Sequence, residues 1–380
     1  MKINFYERYQ PKNQLAILED ALRSNSLFSN GKYADLLSEH LKKTYQIDNI
    51  LFTTSATTAL ELAVQLLELK PGDEVLIPSY NFPSAANAVL KSGGIPILCD
   101  VEKKTKNISL EDTAFRITSQ TKAVIPTHYA GISCNMDELM DLAKNNNITV
   151  IEDAAQAVNG FYKQTPLGAI GDFGAYSFHH TKNFSCGEGG AFLMKDSAFM
   201  RDAEILKDNG TNKAQFLRNE VSSYSWQRSG SNYILSEACV ALLYAQILAY
   251  QEITSKRKHI ADIYTNILLE AKDFLNEKIT PMEIPSFSTP NYHIYYVNCA
   301  NLKIREILRK SLFIDGIDVR SHFVPLHIST FGKKLGYQDL DLPNSLAVSE
   351  TILRLPIHTE MTGEDAAFIA NLLIKRVKEI

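Results

Sequence analysis

Short apolar runs alternate with stretches whose apolar residues recur every three or four positions. "NILFTTS" (49–55) predicts a strand. The "ATTALELAVQLLEL" that follows predicts a helix, with Leu60, Ala63, Val64 and Leu67 on one face. "PGDEVLIPS" reads as a turn and a strand, "SAANAVLKSGG" as a helix closed by glycines, and "IPILCDV" as a strand. The alternation continues through "KAVIPTHYAG" (strand), "NMDELMDLAKNNN" (helix), "ITVIEDAA" (strand), and the short strands "FGAYSFH" and "GGAFLMK". Near-continuous apolar strands separated by helices predict an α/β fold, with a mainly parallel sheet covered on both faces.

The pattern changes after about residue 236. "SEACVALLYAQILAYQEITSKRKHIADIYTNILLEA" predicts one long helix, and the remainder mixes strands such as "YHIYYVNC" with short helices. The expected organisation is a large domain over 1–250 and a smaller α+β domain over 251–380, within the 380 residues. Net charge is −4, without the basic excess of a nucleic-acid-binding face. The five cysteines are scattered and form no CxxC pair, so neither a metal site nor a disulfide framework is expected. Free thiols, no secretory signal at the start and no apolar run near the roughly 20 residues of a membrane span point to a soluble cytoplasmic protein.

Ligands of open α/β sheets bind beyond the carboxyl ends of the strands. After the first strand, "TTSATTAL" offers hydroxyls and free amides at a helix start. This suits either a phosphate or plain N-capping by Ser55 or Thr57. After the second, Tyr80 and Phe82 emerge in "PSYNFPSA", either to stack on a planar ligand or to fill the core. Asp153 ends the apolar "ITVIED", where a buried carboxylate needs a partner, and Gln156 follows three residues on. Capping of a helix over 154–157 is the plainer reading. Last comes "FGAYSFHHTKNFSCGEGGA" (173–191). Lys182 there has no charged residue within three positions, lies just after Ser177 and precedes the glycines 187, 189 and 190.

A phosphate cup, an aromatic plate, a buried acid and an isolated lysine are together what pyridoxal phosphate requires. The lysine joins the aldehyde, and the acid keeps the ring nitrogen protonated so that the ring draws electrons. A lysine with a lowered pKa can also serve as general base.

With "GDEVLIPSYNFPSAANAV", "VIEDAAQAVNGFYKQTPLGAIGDFGAYSFHHTKNFSCGEGGA", "GSNYILSE" and "PLH" in this order, the chain resembles the DegT/DnrJ/EryC1/StrS sugar aminotransferases over about residues 5–380. The resemblance implies an aspartate-aminotransferase-like fold (fold type I), with a large mixed-sheet domain and a smaller C-terminal one. It implies that Lys182 carries the cofactor, Asp153 meets the pyridine nitrogen, Gln156 the 3-hydroxyl side and Phe82 the ring face. Ala56, Thr57 and Ser177 would hold the phosphate. Asn232 would reach it from the partner subunit of a homodimer with shared sites. Ala56 departs from the glycine frequent at its position, which keeps the amide donor but tightens the approach.

"ILKDNGTNKAQFLRNEVSSYSWQRSGSNYILSEA" and "HFVPLH" look like the enterobacterial-common-antigen branch. That branch moves the amino group of L-glutamate to dTDP-4-dehydro-6-deoxy-D-glucose. The product is dTDP-4-amino-4,6-dideoxy-D-galactose, for lipopolysaccharide and related surface glycans. Amination at C3 of a 3-keto sugar nucleotide is the alternative, and a cofactor-binding regulator the non-enzymatic one. Expected substrate contacts are His322 or His327, with loop or interface histidines as the plainer reading, and Arg228, otherwise a solvated surface arginine.

Overall fold

The computed structural model describes residues 2–24, 27, 31–275 and 277–380. In chain order the strands are β1 (Asn49–Thr53), β2 (Glu74–Pro78), β3 (Ile95–Cys99), β4 (Thr121–Val124) and β5 (Thr149–Asp153). A hairpin of β6 (Phe161–Tyr162) and β7 (Thr165–Pro166) leads to β8 (Phe173–Ser177) and β9 (Gly190–Met194). Seven of them form one sheet in the order β1-β9-β8-β5-β4-β2-β3. The run from β8 through β5, β4 and β2 to β3 is parallel, and β9 is antiparallel to both β8 and β1. Every residue of β8 and β9 is buried, which explains their unbroken apolar pattern.

Because only β9 is reversed, its first residue lies at the edge where the other six strands end. Gly190 stands opposite both Thr53 and Ser177. The helix Ala56–Leu66 starts at this edge. Ser55 caps it by accepting from the Thr58 N–H at 3.1 Å, and the Thr58 hydroxyl accepts from the Ser55 N–H in return.

Two elements differ from expectation. "KAVIPTHYAG" is strand only to Val124; Pro126 has no N–H to offer a ladder, and Tyr129–Gly131 closes a turn with Ala130 at φ 60°. The long helix is two, Glu237–Leu248 and Tyr250–Glu270, parted at Ala249. No glycine or proline marks the break. Val240, Leu243, Ile247 and Ile253 belong to the core beneath the large sheet. Ile260, Tyr264 and Leu268 belong to a second core. The change of packing partner falls within the second helix, between Ile253 and Ile260.

The second core lies on the antiparallel strands β10 (Ile279–Pro281), β12 (Tyr295–Cys299) and β13 (Ile352–Leu355), while β11 (Ser288–Thr289) joins β6. It is covered by the helices Leu302–Ile314 and Gly363–Lys378 and takes in Ile3, which bridges to Ile317. Tyr80 and Tyr129, from the loops after β2 and β4, also belong to it.

A Cβ on Gly190 would collide with the backbone of Ser55 and Ala56. The side-chain-free start of β9 is what lets the helix N-terminus sit down on the sheet. Gly190→Ala is expected to cost about 2 kcal/mol or more, because only backbone is available to give way. It should also loosen cofactor retention. Urea unfolding and the cofactor content of the purified variant measure both, and an unchanged midpoint refutes the packing claim.

Candidate active site

A cavity of about 480 Å³ opens at the sheet edge where β2, β5 and β8 end, a volume typical of small-ligand sites. Ala56, Thr57, Phe82, Asp153, Gln156, Ser177, Lys182 and His322 all line it, although they are spread over more than 260 residues of chain.

Lys182 sits in the loop after β8, its N–H bonded to the His179 carbonyl at 2.9 Å. Its amine reaches the cavity but lies under enough protein that burial pulls its pKa down to about 8. The attraction of Asp153 partly offsets this, and Arg354 adds to it. The isolation visible in the sequence therefore persists in space: no carboxylate bonds to Lys182 among the described residues.

Asp153 is 5% exposed. Its carboxylate accepts the Ala155 N–H at 3.2 Å and the Thr127 hydroxyl at 3.3 Å, both long. Burial raises its pKa, against the pull of the Ala155 N–H, Lys182 and His128. No helix begins at 154, so the capping alternative fails. A carboxylate held this deep by two long bonds suits a cation placed against it. Gln156 accepts the Ala130 N–H at 2.8 Å through Oε1, which assigns its amide orientation and leaves the NH₂ as a donor.

At the helix start, capping and anion binding coexist. Ser55 satisfies Thr58 and its carbonyl satisfies Ala59, while the Ala56 and Thr57 N–H groups have no partner among the described residues. Those two amides, the dipole behind them and the Ser177 hydroxyl at the end of β8 form a cup for a phosphate. The two aromatic candidates separate. Tyr80 is core, its hydroxyl donating to the His322 carbonyl, whereas Phe82 is 56% exposed at the cavity. Free amides, a buried acid without a full partner, a depressed lysine and an open aromatic face fit pyridoxal phosphate.

The patterning did not single out the cavity's other cations. Arg257, Arg320, Arg354 and His293 also line it. Arg257 is buried, donates to the Tyr292 and His293 carbonyls at 2.9 and 2.8 Å, and has its pKa lowered to about 9 by burial. Arg320 pairs with Asp318 at 2.7 Å. Burial and the surrounding cations hold His293 well below its usual pKa and push His322 down to about 2, so both rings are neutral. His322 stacks on Phe323 at 3.9 Å.

Three candidates are not brought to the cavity. Arg228 pairs with Glu68 at 2.9 Å, just past the C-terminal end of the helix Ala56–Leu66. Twelve residues of mostly helical chain separate Glu68 from Ala56, about 18 Å at the helical rise. Arg228 is thus at the wrong end of the helix to serve the cavity of its own chain. His327 is 3% exposed and its Nδ1 meets the Ser79 hydroxyl at 2.7 Å, so it knits two loops together and does not face substrate. Asn232 is exposed, in a bridge with Asp208, and does not line the cavity of its own chain.

The fold and this site define a pyridoxal-phosphate enzyme. Residues 9–373 match the DegT/DnrJ/EryC1/StrS aminotransferase family, to which the chain belongs. It is 31% identical to the spore coat polysaccharide biosynthesis protein SpsC of Bacillus subtilis, over 82% of this chain and 81% of that one. It is 30% identical to a dTDP-4-dehydro-2,3,6-trideoxy-D-glucose 4-aminotransferase of Saccharopolyspora spinosa, over 87% and 85%. Among solved structures it is similar to the PLP form of Spr1654 from Streptococcus pneumoniae, described as a sugar aminotransferase. The TM-score is 0.91 and identity 25%, covering 100% of this chain and 99% of that one. Pyridoxal phosphate is the cofactor, and the enzyme is a sugar aminotransferase.

With a lysine pKa near 8, the neutral amine predominates above that pH. Covalent capture of pyridoxal phosphate by cofactor-free protein should accelerate with pH and level off above about 8. An ordinary lysine would keep climbing toward pH 10. Stopped-flow absorbance reads the profile, and Lys182→Ala should abolish the covalent signal while leaving the circular dichroism of the fold unchanged.

Proposed function

We propose that this enzyme transfers the amino group of L-glutamate to C4 of dTDP-4-dehydro-6-deoxy-D-glucose. The product is dTDP-4-amino-4,6-dideoxy-D-galactose, made in the cytoplasm for lipopolysaccharide and related surface glycans. The observation that carries the reading is the cavity itself: a lysine and a buried carboxylate at its base, arginines in its walls, and room for a hexose. The printed activity of the Saccharopolyspora relative, amination at C4 of a dTDP-linked deoxyhexose, supports the position, and the polysaccharide role of SpsC supports the destination.

Bound pyridoxal phosphate supplies an aldehyde and an electron-drawing ring. The Ala56 and Thr57 amides and the Ser177 hydroxyl hold its phosphate, Phe82 covers its face, and Asp153 balances the charge of its ring nitrogen. Gln156 donates through its NH₂. Lys182 Nζ takes the proton from the reacting carbon of the amino donor and returns one on the way to product. A pKa near 8 suits it to both directions. His293 and His322, held neutral, offer hydrogen bonds without adding to the positive charge.

The same proposal includes a homodimer in which Asn232 completes the phosphate cup of the partner subunit. Asn232 is exposed, and the preceding segment leaves Leu217, Tyr224 and Trp226 more than half exposed, an apolar surface suited to burial against a second copy.

Four measurements test this. A panel of keto-sugar nucleotides with glutamate, followed by NMR of the product, should place nitrogen at C4 with galacto configuration. Nitrogen at C3 refutes the assignment. Initial rates should give parallel double-reciprocal lines, since one site serves both substrates in turn. Asp153→Asn should retain cofactor and lose at least about 100-fold in turnover. Mixing inactive Lys182→Ala and Asn232→Ala chains should restore activity, because one site of each heterodimer then carries neither lesion. No recovery after proven exchange would place Asn232 within its own chain's site.

A further inference from the structure

A cluster of metal-ligating side chains stands at the rim of the cavity, apart from the groups described so far. Among the described residues, His179, His180 and Glu188 are the one group of three whose imidazole, thiol or carboxylate atoms all lie within 4.8 Å of one another. His179 and His180 are consecutive in the loop after β8, with ring centroids 4.0 Å apart. Glu188 comes from the glycine turn before β9. His179 Nε2 and Glu188 Oε1 are 3.5 Å apart. That is long for a hydrogen bond, but close to the separation of two ligands on one tetrahedral zinc, about 3.4 Å for bonds of about 2.1 Å. His180 is exposed, and a small rotation of its ring brings the third nitrogen to ligand distance. A ligating Nε2 requires the ring proton on Nδ1, and that proton needs an acceptor. The Thr181 hydroxyl lies 2.9 Å from His179 Nδ1. What this tautomer gives up is the long 3.3 Å bond from the Thr181 N–H, which is exposed to water.

We propose that His179, His180 and Glu188 bind a divalent transition metal ion of the zinc class, and that the bound ion obstructs entry to the cavity. The donor set fixes the class. Two imidazoles and one carboxylate suit Zn²⁺, whereas Mg²⁺ and Ca²⁺ take oxygen ligands. The scattered cysteines excluded a thiolate site, and this one uses none. Three protein ligands leave a fourth position for water, so the ion is held openly and exchanges with solvent. The obstruction follows from the place. His179 and Glu188 line the cavity beside Thr181 and Lys182, whereas His180 does not. An ion held by all three ties the loop after β8 to the glycine turn and stands, with its water, at the rim. None of this depends on which sugar or amino donor the enzyme takes.

The test titrates the holoenzyme with Zn²⁺ by calorimetry, with Mg²⁺ as the control cation. One Zn²⁺ per chain should bind, and Mg²⁺ should not. His180→Ala and Glu188→Gln should each weaken Zn²⁺ binding at least about tenfold, and both side chains are exposed, so the fold should survive either change. Co²⁺ in place of Zn²⁺ should give visible absorption bands that both variants lose. Entry is read with phenylhydrazine, which reacts with the cofactor aldehyde to a coloured product whatever the natural substrates are. Saturating Zn²⁺ should slow that reaction at least about tenfold in the parent, a chelator should restore it, and His180→Ala should be slowed far less. Absent Zn²⁺ binding, or binding undiminished in both variants, overturns the site. An unslowed phenylhydrazine reaction at saturating Zn²⁺ overturns the obstruction. An enzyme inert to glutamate that still binds Zn²⁺ through His180 would overturn the donor assignment and leave the metal site standing.

Discussion

Two adjacent carboxylates close β5, and their opposite surroundings organise the molecule around the site. Glu152 is fully buried and takes four donors: the Gly168, Ile170 and Gly171 N–H groups and His128 Nε2, at 2.6 to 2.8 Å. Since His128 Nδ1 receives the Cys134 N–H, the ring's proton sits on Nε2 and points at Glu152. One side chain thus pins the turn that feeds β8 and the loop that leaves β4. Asp153, one residue on and on the other face of the sheet, has two long bonds. The first carboxylate is saturated and structural. The second is rigidly placed by its neighbour and left with bonding capacity for a ligand.

The charge balance of the cavity follows the same division. Its acids are Asp153 at the base and the exposed Glu188 at the rim, while Lys182, Arg257, Arg320 and Arg354 supply positive charge from three directions. Arg257 is held by backbone carbonyls, which satisfy its donors without cancelling its charge. The Ala56 and Thr57 amides add partial charge of the same sign. Such a site has an excess of cation when empty and approaches neutrality when it holds a phosphate and a carboxylate or diphosphate. Both the ring-bearing cofactor and the anionic substrates are therefore drawn into one enclosed volume, where low polarity strengthens each contact.

Much of this was legible along the chain because the signals are local. Asp153 and Ser177 each end a largely apolar strand, and Lys182 is the lone charged residue in the loop that follows β8. What singled out Lys182, one charge in an apolar setting, holds equally for Arg354 in "ILRLPIH", and that signal went unread. Arg257 gave no such sign, since it sits within "SKRKH" among other charges. His327 and Arg228 lie away from the cavity of their own chain, which the sequence does not signal. Their neighbourhoods in sequence are polar loops, and only the contacts to Ser79 and Glu68, 248 and 160 residues away, show what occupies them. The break at Ala249 was equally out of reach, because no glycine or proline marks it.

The charged groups around the cavity come from different sheets, which places a constraint on the wall between them. Lys182, Asp153 and the phosphate cup belong to the edge of the large sheet, while Arg354 and Arg320 belong to the second. Between them stands an aromatic stack: Tyr80 against Tyr129 at 5.4 Å, Tyr80 against Phe323 at 5.7 Å, and Tyr129 against Tyr296 at 6.1 Å. The Tyr80 hydroxyl donates to the His322 carbonyl, and the Tyr129 hydroxyl meets His322 Nδ1 at 3.3 Å. Rings of this size bury large areas while losing few rotamers, so they join the two units with little give. A ligand spanning Lys182 and Arg354 is therefore measured against a fixed distance. A cavity walled in this way keeps Lys182 and the arginines of the second sheet at fixed separations whichever ligand enters it.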